Sequence, residues 1–413
     1  MASTHARRVP AVPEPGLSGG DVLPRSRDGT LLLRARAVTI CIREITLREI
    51  HLPLKEPFVI SSGAVTTRRI LLTELRDQDG AVAWSECPAG AAPNYSPETI
   101  DTAWLAITSW VAPRLLGRAL AHPRDVHPIL ERDFRGHWMA KATLEMGAWG
   151  LAAERDGVSL ARFIGGTRER IEVGISLGIE ATPAALVAKA RQALGHGYRK
   201  VKIKIKPGAD VDYVGAAREA LGPGAPLMAD ANNAYTLDDS DRLVQLDQFG
   251  LLMIEQPLAW DDLVRHAALQ RRLATPICLD ESITSLERAE DIVTLGAGRI
   301  INIKPGRVGG FAPSRAIHAL CARHDVPVWC GGMLESGVGR AYNVALASLP
   351  GFTIPGDLSP SARYWERDVV TPEWTMAPDG TMTVPRDRPG LGVAVDIDRV
   401  DDLTVRRETL TAP

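Results

Sequence analysis

The chain has 413 residues, of which 45% are hydrophobic and 24% charged, and its formal net charge is −2. This length is large for one core, so we expect two domains or one large barrel with additions. The small net charge gives no reason to expect a nucleic acid or an anionic membrane as a partner, and no apolar run approaches the roughly 18 residues of a membrane span.

The cysteines and residues 1–37 bear on the cellular compartment of the protein. The five cysteines are scattered and lack a CxxC spacing. This favours a reducing cytoplasm over a disulfide framework or a thiolate zinc site. Residues 1–37 are rich in Arg, Pro, Gly and Ser, and they lack the apolar stretch of a secretory signal. We expect them to form a disordered leader outside the fold.

Residues 38–165 have the pattern of a small α+β domain. Two β-rich runs between residues 38 and 60 are followed by shorter strands on either side of Asp79-Gly80, which is typical of a hairpin turn. Ser96, followed by a proline and an acidic residue, is predicted to cap a helix. A second helix is predicted over His137–Arg155.

Between residues 166 and 360, short apolar strands alternate with helical segments. Eight such units predict a parallel (β/α) TIM-like barrel. The alternative, a doubly wound open sheet, usually has a glycine fingerprint after its first strand, and this sequence has none there. The predicted strands are Val173–Leu177, Val201–Ile205, Leu227–Ala231, Leu252–Glu255, Ile277–Asp280, Ile300–Lys304, Val328–Cys330 and Phe352–Ile354. Residues 361–413 lose this rhythm and are predicted to pack back on the N-terminal capping domain.

Five consecutive predicted strands, the second to the sixth, end in charged side chains. These are Lys204, Asp230, Glu255, Asp280 and Lys304, separated by 26, 25, 25 and 24 positions. The carboxyl ends of barrel strands converge on one mouth, where active sites of such barrels lie. Three carboxylates cannot meet there unpaired, because mutual repulsion would raise their pKa values. Oxygen ligands favour Mg²⁺ or Mn²⁺ over zinc, so the pattern predicts a divalent metal between two lysines.

The two lysines at the ends of this series, Lys204 and Lys304, would lie on opposite sides of a ligand on that metal. A free lysine is protonated at neutral pH and is a poor base. A second cation on the same strand face, Lys202, and the metal would favour the neutral amine of Lys204. The implied chemistry is abstraction of a proton α to a carboxylate through an enediolate, with the metal stabilising the developing charge. Lys200 and Lys206 are interpreted as structural or solvated charges.

At these residues the chain resembles the enolase superfamily, in its muconate-lactonizing-like subgroup. The matching motifs are KIK at 202–204, DAN at 230–232, EQP at 255–257 and DES at 280–282. The runs KPGRVGG from Lys304 and GGMLESGVGRA from Gly331 are similar to the o-succinylbenzoate synthase / N-succinylamino acid racemase family. The resemblance extends from about residue 45 to residue 393 and implies a cap built from both chain ends.

The resemblance implies a role for each matching position. The three acids would bind Mg²⁺ or Mn²⁺, Lys204 and Lys304 would be the two acid/base groups, and Lys202 would support the first of them. Glu281 would be a supporting charge beside the metal ligands. A small carboxylate substrate is implied to lie near Ser61, Tyr95, Ser176, Asn232, Arg307, Gly332, Met333 and Glu335. A cytoplasmic homo-oligomer is expected, because barrel enzymes of this kind often assemble.

Two reactions compete within that family. One is dehydration of a cyclohexadiene carboxylate to o-succinylbenzoate in menaquinone synthesis, where one lysine acts as base and the other as a cation. The other is racemisation of N-succinylamino acids, which needs both lysines alternately as base and acid. Arg307 follows Lys304 closely and could tune it for both roles, which favours the racemase, with synthase activity possible in the same site. A muconate-cycloisomerase-like enzyme and a catalytically silent barrel scaffold are the remaining alternatives.

Overall fold

The computed structural model describes residues 39–60 and 63–413. The predicted leader, residues 1–37, and the predicted substrate contact Ser61 lie outside these ranges. The described chain contains an antiparallel sheet near its N-terminus and a parallel sheet in its middle part. Within these ranges, no helix is both long enough and apolar enough to cross a membrane.

The antiparallel sheet is built mainly from the N-terminal residues. Strand β1 (Ile40–Ile60) pairs with β2 (Gly63–Asp77), so the two runs expected between residues 38 and 60 form one strand. A tight turn leads from β2 into β3 (Val82–Cys87). Gly80 in this turn has a φ of +86°, the left-handed conformation that glycine adopts without strain. The predicted hairpin is therefore present.

Four α-helices belong to this part of the described chain, and the first and third of them pack against the sheet. They are α1 (Ile100–Ala106), α2 (Val126–Glu131), α3 (Trp138–Asp156) and α4 (Leu160–Phe163), and the short strand β4 (Ala119–Leu120) lies between the first two. The predicted cap at Ser96 is wrong, since α1 begins after Thr99. The Thr99 hydroxyl accepts from the Thr102 amide, and the Thr102 hydroxyl accepts from the Thr99 amide. This reciprocal pair satisfies two backbone donors, which sets the start of the helix.

Strands and helices then alternate along the chain. After the short strand β5 (Arg170–Glu172), the parallel strands are β6 (Gly174–Leu177), β7 (Lys200–Lys204), β8 (Leu227–Asp230), β9 (Ile254–Glu255), β10 (Ile277–Leu279), β11 (Ile300–Asn302) and β12 (Val328–Trp329). The helices that follow β6 to β12 in turn are α5 (Pro183–Gly195), α6 (Val211–Leu221), α7 (Ser240–Val244), α8 (Leu263–Gln270), α9 (Leu286–Leu295), α10 (Phe311–Arg323) and α11 (Gly337–Ala347). Each parallel strand pairs with the next one in the chain.

The eighth predicted strand, Phe352–Ile354, does not form a ladder. This segment makes isolated bridges instead, to Val328 at one edge of the sheet and, through Gly356, to Val173 beside the other edge. Pro355 has no amide to donate to a ladder, which accounts for the interruption. The parallel sheet thus curls into the predicted (β/α) barrel, with a bridging segment in place of the last strand.

The C-terminal residues return to the earlier elements. Strand β13 (Val370–Thr371) pairs with β15 (Ala394–Val395), and β14 (Thr381–Thr383) pairs with β5. After helix α12 (Ile397–Leu403), β16 (Thr404–Thr411) adds an antiparallel edge strand next to β1. The antiparallel sheet therefore contains both ends of the described chain. The exact domain limits at residues 165 and 360 stay predictions.

The buried apolar side chains form two main clusters. One lies in the capping domain and includes Trp104 and Leu144. The other lies between the barrel strands and the helices around them, includes Ile203 and reaches Trp149. Leu144 and Trp149 both belong to α3, so this helix joins the two cores.

Candidate active site

The carboxyl ends of β7 to β11 bring together the charged residues that recur at the ends of the predicted strands. Lys204 Nζ lies 2.6 Å from Asp230 Oδ2, and Lys304 Nζ lies 2.8 Å from Asp280 Oδ2. Glu255, on the strand between these two acids, is 3.0 Å from Lys202 Nζ. All of these side chains are at least 93% buried. Each of the three acids therefore faces an ammonium group.

The turn after β8 holds the amine of Lys204 in place. Asn232 has a φ of +41°, and its amide donates to Asp230 Oδ1 at 3.0 Å. Its side-chain oxygen accepts from Lys204 Nζ at 2.5 Å, while its Nδ2 donates to Glu281 Oε1 at 3.0 Å. Asn233 donates to the same oxygen of Glu281 at 3.1 Å. Glu281 thus supports Asn232, which in turn orients Lys204.

The three strand-end acids differ in their electrostatic state. Burial opposes ionisation of Asp230, but Lys204 and Lys202 outweigh it and hold the pKa of Asp230 below its usual value. Asp280 is affected in the same way, with its pKa lowered against burial by Lys304 and Arg307. For Glu255, burial and the charge of Asp230 raise the pKa above its usual range. The central acid thus lacks sufficient compensating positive charge.

These acids fit a hard divalent cation by their chemistry. They supply only oxygen donors, they come from adjacent strands, and Glu255 needs a further cation to ionise fully. In the described part of the chain, no three His, Cys, Asp or Glu side chains are already drawn together as a metal site. The acids at the mouth are instead turned toward the lysines. A metal ligand set of Asp230, Glu255 and Asp280 remains an inference from donor type and charge.

Lys304 is held by the capping domain as well as by the barrel. The hydroxyl of Tyr95, in the loop between β3 and α1, accepts from Lys304 Nζ at 3.0 Å and from Arg307 Nη1 at 2.9 Å. The same hydroxyl lies 3.3 Å from Asp280 Oδ1. Burial favours the neutral amine, but the Asp280 carboxylate outweighs it and holds the pKa of Lys304 above its usual value. The expected substrate contact of Tyr95 stays a prediction.

Arg307 shares Asp280 with Lys304. Its guanidinium contacts Asp280 Oδ1, while Lys304 binds Oδ2. Nε donates to the Ile283 carbonyl at 2.7 Å and Nη2 to the Asn302 carbonyl at 2.6 Å. These bonds fix the guanidinium behind the acid, so it acts on Lys304 through Asp280 and Tyr95.

Asp357 is a site residue whose contacts the sequence analysis missed. Its carboxylate lies 2.6 Å from Lys202 Nζ and 3.2 Å from Lys200 Nζ, and Lys200 also lies 3.4 Å from the centre of the Trp329 ring. Lys200 is fully buried and therefore structural rather than solvated. Burial lowers the pKa of Lys202, but Asp357 and Glu255 raise it well above the usual value. Asp357 lies just after the eighth predicted strand, where side chains reach the barrel mouth. This position in the sequence could have identified it as a site residue.

The remaining predicted contacts lie around the same mouth. Ser176 on β6 is in register with Lys202, and its buried hydroxyl has no hydrogen-bond partner among the described residues. Such a group is free to bind a ligand.

The loop after β12 carries Gly332 and Met333 and is braced by Glu335. This carboxylate accepts from the Met333 amide at 2.7 Å and from Asn343 Nδ2 at 2.9 Å. Glu335 therefore shapes the loop through its side chain. Direct contact of these residues with a substrate stays a prediction.

Two family models match most of the chain. The N-terminal domain of mandelate racemase / muconate lactonizing enzyme matches residues 42–165, and the enolase C-terminal domain-like family matches residues 185–400.

Named relatives and a solved structure agree with these matches. The chain is 48% identical over 367 residues to an o-succinylbenzoate synthase of Geobacillus stearothermophilus, covering 89% of this chain and 97% of the relative. It is 45% identical over 371 residues to an N-succinylamino acid racemase of Thermus thermophilus, covering 90% and 99%. An enolase-superfamily structure from Listeria innocua matches with a TM-score of 0.87 and 38% identity, over 90% of this chain and 99% of that one. The chain is therefore an enzyme of the enolase superfamily and belongs to the family of the o-succinylbenzoate synthases and N-succinylamino acid racemases.

Proposed function

We propose that this enzyme removes and returns the proton α to the carboxylate of an N-acylamino acid, in particular an N-succinylamino acid, and so racemises it. The observation that supports this proposal is the placement of two buried lysines on the outer acids of the triad, Lys204 on Asp230 and Lys304 on Asp280. Racemisation needs a base on one side of the α carbon and an acid on the other. A lysine at each end of the triad meets that need.

In this proposal, Asp230, Glu255 and Asp280 hold a Mg²⁺ or Mn²⁺, which when bound stabilises negative charge developing on the substrate carboxylate. For one enantiomer Lys204 takes the α proton while Lys304 delivers a proton to the opposite face, and for the other enantiomer the roles reverse. One amine must be neutral when the other is protonated, so the lysine pair exchanges one proton with each substrate. Lys202 stays cationic and holds Glu255 in place.

Arg307 supports the racemase over the synthase. A two-way acid/base group must release its proton as well as hold it. The guanidinium on Asp280 competes with Lys304 for the charge of that carboxylate, which favours proton release by the amine.

The second candidate is o-succinylbenzoate synthase, the name of the relative that is 48% identical. That dehydration needs one lysine as base and the other as a cation. The Asp280 carboxylate keeps Lys304 protonated, against burial, and this suits the cationic role. A place in menaquinone synthesis would follow from that activity.

Location and assembly are parts of the same proposal. All five cysteines are free and buried, which supports a cytoplasmic enzyme. A homo-oligomer stays a prediction.

Deuterium exchange separates the two candidates. The enzyme with Mg²⁺ is incubated in D₂O with N-succinyl-L- and N-succinyl-D-amino acids, and the α-proton signal is followed by NMR. A racemase exchanges both enantiomers, and Lys204→Ala and Lys304→Ala each abolish exchange from a different one. Dehydration of the cyclohexadiene carboxylate is assayed beside it. Robust dehydration without exchange would contradict the racemase and support the synthase.

A further inference from the structure

The two candidate acid/base lysines are supported by different parts of the fold. Lys204 binds Asp230 and Asn232, which both belong to the barrel. Lys304 binds Asp280 of the barrel and the hydroxyl of Tyr95, which belongs to the capping domain. The lysines are chemically alike, but the groups that orient them are not.

Tyr95 is tied to Lys304 by more than one contact. Its hydroxyl accepts from Lys304 at 3.0 Å, and its ring centre lies 4.8 Å from the same Nζ. Arg307 Nη1 donates to the hydroxyl at 2.9 Å. The oxygen is thus held between two cations of the loop that begins at Lys304, and it fixes the direction of the amine.

Other cap residues hold the same loop. A side chain at Gly306 would collide with Pro88, so the loop backbone is packed directly against the cap. Glu145 on α3 accepts from the Phe311 and Ala312 amides at 2.7 and 2.9 Å. The loop that follows Lys304 and the helix after it are therefore held against the capping domain, whereas the backbone that leads into Lys304 belongs to the barrel sheet.

The Lys304 nitrogen is tetrahedral, so besides its bond to the side chain it has three directions for a hydrogen or a lone pair. Asp280 Oδ2 occupies one at 2.8 Å, and the Tyr95 hydroxyl occupies another at 3.0 Å. Fixing two directions fixes the third, and the third is the one in which a proton is exchanged with a substrate. A shift of a reacting group by about 1 Å can cost about 100-fold in rate.

We propose that Tyr95 is a positioning residue that makes proton transfer at Lys304, and not at Lys204, depend on the capping domain. The inference rests on the proposed racemase function, because it assigns one lysine to each enantiomer. It predicts that loss of the Tyr95 hydroxyl slows the two directions of racemisation unequally.

The test uses Tyr95→Phe with Mg²⁺ in D₂O and measures the exchange rate of each enantiomer by NMR. The enantiomer that depends on Lys304 is the one whose exchange is lost in Lys304→Ala. Its maximal exchange rate should fall roughly 10- to 100-fold, as expected for a hydrogen bond to a charged group, whereas the other enantiomer should change by less than about threefold. Tyr213→Phe is the matched control, since it removes a hydroxyl that donates to the Ala181 carbonyl on the outer side of the barrel.

If Tyr95→Phe does not fold, Gly306→Ala decides the matter, because its methyl group would displace the loop from Pro88 and should slow the same enantiomer more than the other. Equal slowing of both enantiomers would overturn the inference. A smaller Mg²⁺-dependent rise in the thermal midpoint would also overturn it, because Tyr95 would then act through Asp280. If the unaltered enzyme exchanges neither enantiomer, the proposed function fails. If it exchanges both and Tyr95→Phe keeps their ratio, only the inference about Tyr95 fails.

Discussion

Asp357 joins two lysines that would otherwise repel each other inside the barrel. Lys200 and Lys202 both reach its carboxylate, and all three side chains are at least 94% buried. Removing the charge of Asp357 leaves a buried ammonium on Lys200 without a counter-ion, which costs far more than the loss of an exposed pair. Asp357→Asn should therefore lower the free energy of unfolding by about 3 kcal/mol, measured by urea denaturation.

Two further variants test this assignment. Lys200→Met in the Asp357→Asn background should restore part of the lost stability, because it removes the unpaired charge. Asp379→Asn is the control, since Asp379 is exposed and pairs with the surface residue Arg170. An Asp357→Asn protein as stable as the unaltered one would show that the carboxylate is not needed to hold the lysines.

Sequence spacing predicts the meeting of the three acids, but it does not predict the contact between the capping domain and Lys304. Asp230, Glu255 and Asp280 recur at a nearly constant interval, so their meeting follows from the barrel repeat alone. The contact of Tyr95 with Lys304 joins residues 209 positions apart in two different layers of the fold. No periodicity encodes such a contact, because it depends on how the capping domain sits on the barrel mouth.

The capping domain contacts the barrel through hydrogen bonds to the first turns of two barrel helices. Glu145 on α3 accepts from the first amides of α10, and Glu86 on β3 accepts from the amides of Ser336 and Gly339 at the start of α11. A carboxylate at a helix N-terminus satisfies open donors and interacts favourably with the helix dipole. Helix α10 follows β11 and the loop of Lys304, and α11 follows the loop after β12 that carries Gly332 and Met333. These hydrogen bonds therefore connect the capping domain to two loops of the active site.

A third acid at a helix start gives a prediction about pH. Asp210 caps α6 through the Val211 amide at 2.7 Å, accepts from Tyr235 at 2.9 Å and binds Arg242 of α7 at 2.5 and 2.6 Å. Burial opposes ionisation, but these donors prevail and hold the pKa of Asp210 below its usual value. A lowered acid pKa stabilises the fold above the ordinary value of about 4, and this stabilisation is lost as the pH falls below it.

Asp210→Asn should therefore cost about 2 kcal/mol of unfolding free energy at pH 7 and progressively less below pH 4. The measurement is urea denaturation across that pH range. Asp212→Asn removes the same charge from the same helix turn, and it should leave both the stability and its pH dependence nearly unchanged. A cost for Asp210→Asn that is equal at pH 7 and pH 3 would contradict the electrostatic origin.

The helices of the barrel were better predicted than its last strand. The apolar spacing between the first two predicted barrel strands predicts a helix over Pro183–Leu194, and α5 spans Pro183–Gly195. The segment Phe352–Ile354 has the composition of a strand, but it makes only bridges, since Pro355 interrupts the ladder and the neighbouring edges are already set by β6 and β12. Tertiary closure thus overrides local preference at the point where the barrel ends meet.

The active site and the stability of the whole fold are coupled through charge. The triad places three acids in a buried mouth, and burial together with the charge of Asp230 raises the pKa of Glu255 above its usual range. A cation that binds these acids only in the folded chain must stabilise the fold by mass action. At a concentration 100 times its dissociation constant, the gain is about 2.7 kcal/mol.

The thermal midpoint of the enzyme should therefore rise steadily with Mg²⁺ concentration and fall again when a chelator is added. Glu255→Gln should lose this dependence, because the amide removes the negative charge of the central metal ligand. It keeps an oxygen that can accept from Asn302. Glu290→Gln, on the outer helix α9, is the control and should keep the full rise. If the midpoint of Glu255→Gln still rises with Mg²⁺ as in the unaltered enzyme, the metal binds elsewhere and the roles of Asp230, Glu255 and Asp280 must be reassigned.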